Sequence, residues 1–300
     1  MTSTARLLAL APAKVNLSLK VLGRREDGYH ELDTVFQTVD LWDRLAVCPG
    51  EGLSLECDRP GIPSDGTNLV LRAAKMLRER CGRPDLGAHF ELHKSIPAGG
   101  GLGGGSSDAA AALRLAASHW GLEVSRDTQL DLARRLGADV PFFLYGGTAR
   151  GLGRGDRIEP LEPLPETPLL LGLPPFGIST AEVFSRLRAR LTLPENGVNL
   201  HDPLAYKVPI GKDFRLAAND LEEVVFRDWP ELSTFRDGLL DAGAERAMLS
   251  GSGSTVFGMF DNEVAMRGAV ERLGATFGGW QLIPTRTVRE AIRWVDSNRE

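Results

Sequence analysis

Val15, Leu17, Leu19 and Val21 alternate with Lys14, Asn16, Ser18 and Lys20. An extended backbone puts the first set on one face and the second on the other. The strand pattern continues over 31–39, 44–48 and 53–57, with glycine- or proline-bearing turns between them. At 69–77 the pattern becomes helical, and Asn68 stands where a helix wants its cap. Residues 88–93 alternate again, 109–117 form an alanine-rich helical stretch, and 126–136 read as a helix between a capping Ser125 and a terminating Gly137. Strands across 148–158 close the first half.

Six prolines fall between residues 160 and 175, at 160, 163, 165, 168, 174 and 175. Such a stretch marks a boundary, here between an N-terminal domain over 1–165 and a C-terminal domain over 166–300. Leu169, Leu170 and Leu171 form a strand inside it. Helices are expected beyond it at 181–190, 221–226, 230–241 and 262–273, and strands at 246–249, 255–260 and 282–288. That mixture makes the second half an α+β unit.

A chain of 300 residues with 42% hydrophobic content can bury substantial cores. A net charge of −5 without a basic stripe argues against nucleic acid as partner. Cys48, Cys57 and Cys81 are odd in number and lack CxxC spacing, so they suggest neither a disulfide framework nor a zinc site. His89 and His93 lie on one strand about 13 Å apart, too far to share a metal. No apolar run approaches the roughly 18 residues of a membrane span. Residues 6–13 mimic a signal peptide only faintly, so no membrane partner and a cytoplasmic location are expected.

The chemistry concentrates between 97 and 108. Six of the seven residues from Gly99 to Gly105 are glycine, and they lie between a strand and a helix. Backbone N–H groups in such a loop can close around a large anion, and the helix start adds its positive end. Ser106 and Ser107 add hydroxyls for a helix cap or a metal ion. A flexible linker would not be bounded by strand and helix. The dinucleotide fingerprint normally follows a first strand, whereas nearly a hundred residues come first here. The P-loop form needs a lysine that is absent. A phosphate-binding loop of another kind is the strongest of these readings.

Asp139, in Gly137-Ala138-Asp139-Val140-Pro141-Phe142, either prepares an acceptor hydroxyl or caps a turn. Lys14 either stabilises a transferring phosphoryl group or is a solvated strand lysine. Tyr29-His30 suits a heteroaromatic base, although a partly buried tyrosine at a strand start is also common. Ser250-Gly251-Ser252-Gly253-Ser254-Thr255 forms either a tight hairpin or a second wall of a phosphate site.

Together, Pro12-Ala13-Lys14-Val15-Asn16, the glycine loop and the Gly251-Ser252-Gly253 turn, in that order, resemble the GHMP kinases across the whole chain. Asp27-Gly28-Tyr29-His30-Glu31-Leu32 and Gly137-Ala138-Asp139-Val140-Pro141-Phe142 are similar to members acting on a cytidine diphosphate-linked methylerythritol in isoprenoid precursor synthesis. The resemblance implies an α+β, two-domain fold: an N-terminal ribosomal-S5-like α/β domain and a C-terminal ferredoxin-like domain. It implies ATP and Mg²⁺ as cofactors and a small-molecule substrate bearing a cytidine diphosphate group. ATP would be held by Pro97, Ala98, Gly99, Gly100, Gly101, Leu102, Gly103, Gly104, Gly105, Ser106 and Ser107. Lys14 and Asp139 would be the catalytic pair. Tyr29 and His30 would read the cytosine, with Phe184 closing the sandwich and Asn16 and Thr180 along the substrate.

Overall fold

In the computed structural model, which describes residues 6–191 and 218–295, the alternation around Val15 belongs to a longer strand than its pattern suggests. Strand β1 runs Leu7–Arg24 and pairs antiparallel with β2, His30–Cys48, along nearly its whole length. The signal-like opening is thus part of a sheet. The two strands expected at 31–39 and 44–48 are one, because Asp40, Leu41 and Trp42 stay extended between them. Bulges after Pro12, Asn16 and Val21 keep β1 in register by letting residues slip out of the ladder.

Strand β3, Leu53–Cys57, is followed by helix α1, Leu69–Arg80, which Asn68 caps by accepting Val70 N–H. Strand β4, Ala88–His93, returns parallel to β3, as a helical crossover allows. Next come α2, Gly104–His119, and α3, Arg126–Leu136. The pattern gives no warning of the short helix α4, Val140–Tyr145, because six residues are too few to display a period. Strands β5, Thr148–Gly153, and β6, Arg157–Pro160, fold back on one another beside β2. Helices α1 to α4 cover one face of this sheet through a core that includes Phe90, Leu115, Phe142 and Phe143.

The proline-rich stretch contains β7, Pro168–Leu173. Helices α5, Thr180–Leu191, α6, Glu222–Asp228, and α7, Pro230–Asp241, follow among the described residues. Then come β8, Arg246–Leu249, β9, Val256–Met259, α8, Glu263–Thr276, and β10, Gln281–Arg286. The second sheet is antiparallel in the order β10-β7-β9-β8, the ferredoxin-like arrangement. The last strand, β11, Arg293–Val295, pairs with β1 and so belongs to the first sheet.

The triple leucine explains how the sheets stack. Leu169 and Leu171 face a core shared with Val15, Leu17 and Val35 of the first sheet. Leu170 faces the other way, into a core with Phe235 and Val224 from the helices. A strand covered on both faces needs apolar side chains at consecutive positions, which is why the period of two is missing there.

A buried charge cluster ties the start of α2 to both strands beside it. The Lys94 ammonium donates to Asp43 and, at 2.7 Å, to Asp108, and all three side chains are at most 4% exposed. Asp43 also accepts the N–H groups of Ser95 and Ile96 at 2.7 and 2.8 Å. One ammonium cannot neutralise two carboxylates. Burial pushes the Asp108 carboxyl up to about 8, with Lys94 opposing the shift and Asp43 adding to it. Burial works against the Lys94 ammonium too, but the two carboxylates outweigh it and its pKa rises.

Folding therefore takes up a proton at Asp108 between its unfolded value near 4 and about 8, so this group's contribution to stability falls as pH rises across that window. Asp108→Asn should lose that slope. In urea unfolding at pH 5 and pH 8, the wild type should lose more stability than the variant over the interval; parallel profiles would mean Asp108 stays ionised in the folded chain.

Candidate active site

The glycine loop starts beyond β4 and runs into α2, which begins at Gly104 rather than at the alanines. Ser106 and Ser107 consequently lie inside the first helical turn, and Gly103 is the N-cap, left-handed at φ 72° and without a side-chain cap. Three loop carbonyls are already engaged by the protein. Gly100 accepts Thr255 N–H at 3.2 Å, Gly101 accepts the Ser250 hydroxyl at 3.1 Å, and Leu102 accepts Lys14 N–H at 2.9 Å.

A side chain at Gly101 would run into the Ser250 carbonyl oxygen and stand 2.9 Å from that of Gly253, and its φ is +76°. At Gly103 it would meet the Phe143 ring at 2.8 Å and the Lys14 stem at 3.0 Å. These two glycines are required by close approach of the protein to itself. Gly99, by contrast, faces open space. The second glycine turn is held from behind by Asn219, which donates to the carbonyls of Leu249 and Gly251 at 3.0 and 2.7 Å.

A cavity of about 400 Å³ lies against the loop, lined by Pro97 to Ser106 together with Asn68, Lys94 and Asp108. A larger one of about 630 Å³ lies on the other side, lined among others by Lys14, Asn16, Tyr29, His30, Asp139, Thr180 and Phe184. Gly101 borders both. The structure thus brings the expected residues to two adjoining hollows, except Ser107, which is fully buried behind the loop with no partner for its hydroxyl.

Lys14 is no solvated lysine: it is 3% exposed. Its ammonium donates to Asn16 Oδ1 at 2.5 Å and lies 3.5 Å from Asp139 Oδ2. The Phe36 ring lies beneath it at 5.5 Å. Asn16 passes the order on, donating to Thr34, whose hydroxyl donates to the Ser18 carbonyl. Asp139 occupies the N-cap position of α4 yet makes no capping bond. Its carboxylate faces Lys14 instead and stays one-third exposed. A partly desolvated ammonium beside an accessible carboxylate can move a proton and neutralise charge within a few ångströms.

At the far end of the larger cavity, the His30 and Phe184 rings stack on one another at 4.8 Å. A planar base therefore has no slot between them and must meet the outer face of that stack or Tyr29. Tyr29 is 56% exposed, and its ring carries the Arg154 guanidinium at 5.1 Å. Thr180 shares a 2.7 Å hydrogen bond with Ser252, joining α5 to the second glycine turn. Arg154, Thr34 and Asn219 are absent from the sequence reading, which has Ser252 only as part of the second glycine turn. Only Arg154 carried a signal, a basic residue between Gly153 and Gly155; the others matter through cross-strand and inter-sheet contacts.

Away from the cavities, His89 bonds Ser54 and His93 bonds Asp58. No cluster of three or more potential metal ligands occurs among the described residues, and no helix among them is long and apolar enough to cross a membrane.

The pattern of the GHMP kinase N-terminal domain matches residues 68–147, and that of the C-terminal domain matches 209–279. The 4-diphosphocytidyl-2-C-methyl-D-erythritol kinase of Pelotomaculum thermopropionicum is 41% identical over 94% of this chain and 98% of its own. The protein of that name from Geobacter sp. (strain M21) is 40% identical, over 94% and 99%. Among solved structures, a 4-(cytidine 5'-diphospho)-2C-methyl-D-erythritol kinase superposes with a TM-score of 0.74 at 38% identity, covering 94% of this chain and 99% of that one. Homoserine kinase from Cytophaga hutchinsonii reaches a TM-score of 0.75 at 18% identity, over 98% and 99%, a likeness of fold alone.

Gly101→Ala should push the loop off the second glycine turn. With strain of about 1–3 kcal/mol at a left-handed position, nucleotide affinity should fall about tenfold or more, measured by calorimetry on a variant whose melting curve stays cooperative. Unchanged affinity would mean that the Gly101–Ser250 contact does not shape the loop.

Proposed function

The chain belongs to the GHMP kinases, and on that premise we propose that it transfers the γ-phosphoryl group of ATP to the C2 hydroxyl of 4-diphosphocytidyl-2-C-methyl-D-erythritol, giving the 2-phosphate and ADP. Two cavities that adjoin at Gly101, the larger of them lined by the Lys14–Asp139 pair, support phosphoryl transfer. The choice of alcohol rests on identity of about 40% along almost the whole length to proteins of that name, because homoserine kinase shares the fold equally well.

On this reading residues 1–165 hold ATP and carry the reacting pair, while 166–300 supply the second glycine turn, Thr180 and Phe184. The triphosphate lies along Pro97–Ser107, where the loop carbonyls are tied to protein and the amides and the α2 N-terminus are left for anionic oxygen. The Ser106 hydroxyl, beside the smaller cavity in the first turn of α2, fits a Mg²⁺ ion, which takes few protein ligands and keeps water and phosphate oxygens; Ser107, buried behind the loop, does not reach it. Bound there, the ion would neutralise phosphate charge.

Asn16 and Thr180 orient the alcohol. Asp139 accepts the hydroxyl proton as the oxygen bonds to the γ-phosphorus and the bond to the β-phosphate oxygen breaks, releasing ADP. Lys14, 3.5 Å from Asp139, balances the charge gathering on the transferred group. Tyr29, with the His30–Phe184 stack, recognises the cytosine. An enzyme of this kind works in the cytoplasm, where its three free cysteines stay reduced.

Purified chain with ATP and Mg²⁺ should form ADP with the cytidyl substrate and not with homoserine or mevalonate; faster turnover of either alcohol would overturn the substrate assignment. Asp139→Asn should lose about 10²–10⁴-fold in kcat, the usual size of acid–base assistance, while ATP affinity stays within about threefold. Retention of more than about a tenth of kcat would remove Asp139 from proton transfer.

A further inference from the structure

The 630 Å³ cavity is lined by two basic residues other than histidine, Lys14 and Arg154, and by two acidic ones, Asp27 and Asp139. Lys14 is committed to Asp139 at the reacting end. Asp27 is held by Arg25 at 3.1 Å. A diphosphate entering this hollow passes two carboxylates, and among the described residues that line it the cation left to receive it is Arg154.

We propose that Arg154 binds the diphosphate linking base to alcohol, and in doing so makes the site select a nucleoside diphosphate conjugate over a free nucleoside. This rests on the substrate reading given above. Arg154 stands in the turn between β5 and β6, between Gly153 and Gly155. Asp156 takes its Nε and Nη2 at 3.1 and 2.7 Å, and the Arg134 carbonyl accepts from Nη2 at 3.2 Å. Asp156 does not line the cavity, so it fixes the guanidinium from behind. Nη1 donates to no carboxylate among the described residues.

The fork is thus oriented before substrate arrives, and a fixed guanidinium loses less entropy on meeting phosphate than a free one. It also lies over Tyr29, with the guanidinium carbon 5.1 Å from the ring centroid. One face of Tyr29 is thereby occupied, which leaves the other for a base. A base stacked there carries its 5′ phosphates beside the residue that holds the ring. Base and linker are read by one rigid Arg154–Tyr29 unit.

Calorimetry with CDP and with cytidine as probes separates the linker from the base. Wild type should bind CDP more tightly than cytidine, and Arg154→Met should shrink that preference about tenfold or more, the size of a charge-assisted phosphate contact. Arg154→Lys, which keeps charge but not the fork, should lose about threefold or more of it, and decides the matter if the Met variant does not melt cooperatively. An unchanged CDP-to-cytidine ratio overturns the assignment, including the case where both probes weaken equally, since Arg154 would then act only through Tyr29. A wild type binding CDP and cytidine alike also overturns it. A wild type that binds neither probe and does not turn over the cytidyl substrate refutes the substrate reading instead.

Discussion

Three carbonyl groups of the glycine loop are bonded to the protein itself, and the placement of both cavities follows from that. Gly100 and Gly101 are held by Thr255 and Ser250 of the second sheet's turn, and Leu102 by the backbone of Lys14 on the first sheet. A carbonyl oxygen turned toward phosphate would repel it; tied inward, the carbonyls leave the amides free to face the anion. The donors are then oriented before ligand binds, which spares the cost of arranging them at the moment of reaction. The interlock also fixes how the two sheets meet, since the loop is bonded to both.

On the proposed function, Lys14 couples this scaffold to the chemistry. Its backbone N–H secures the loop, while its ammonium meets Asn16 and Asp139 in the neighbouring cavity. Burial of that side chain over Phe36, with its stem against the space Gly103 leaves empty, restricts the rotamers a lysine would otherwise explore. Asp139 is presented by the opposite means. It begins a six-residue helix whose apolar body, Val140 to Leu144, is buried, so the backbone is anchored and the carboxylate remains accessible. The Lys94 cluster performs a similar service beneath α2, where Asp43 and Asp108 fix the strand end from which the loop departs.

Much of this was legible in the sequence because it is local. Alternation marked the strands, Asn68 and Ser125 marked helix starts, and the glycine run between strand and helix marked the loop that lines the smaller cavity. The resemblance carried by Lys14, Tyr29-His30 and Asp139 pointed to residues that line one cavity. What the pattern missed is non-local. The union of two strands in β2 depends on its neighbours, and α4 is too short for a period. Cross-strand pairing brings Thr34 to Asn16, and packing between sheets makes Gly101 obligatory. Nor does spacing along the chain disclose that His30 and Phe184 close on each other, which changes where a base can lie.

On the proposed function, the Lys14–Asp139 pair is the place where a phosphoryl group passes from the nucleotide to the alcohol. A crystal structure with a non-hydrolysable ATP analogue and the cytidyl alcohol bound together tests it most directly. The γ-phosphate should lie at Gly101, the C2 hydroxyl within hydrogen-bond distance of the Asp139 carboxylate, and the cytosine against Tyr29. An alcohol bound away from Asp139, or a nucleotide triphosphate lying outside the glycine loop, would contradict it.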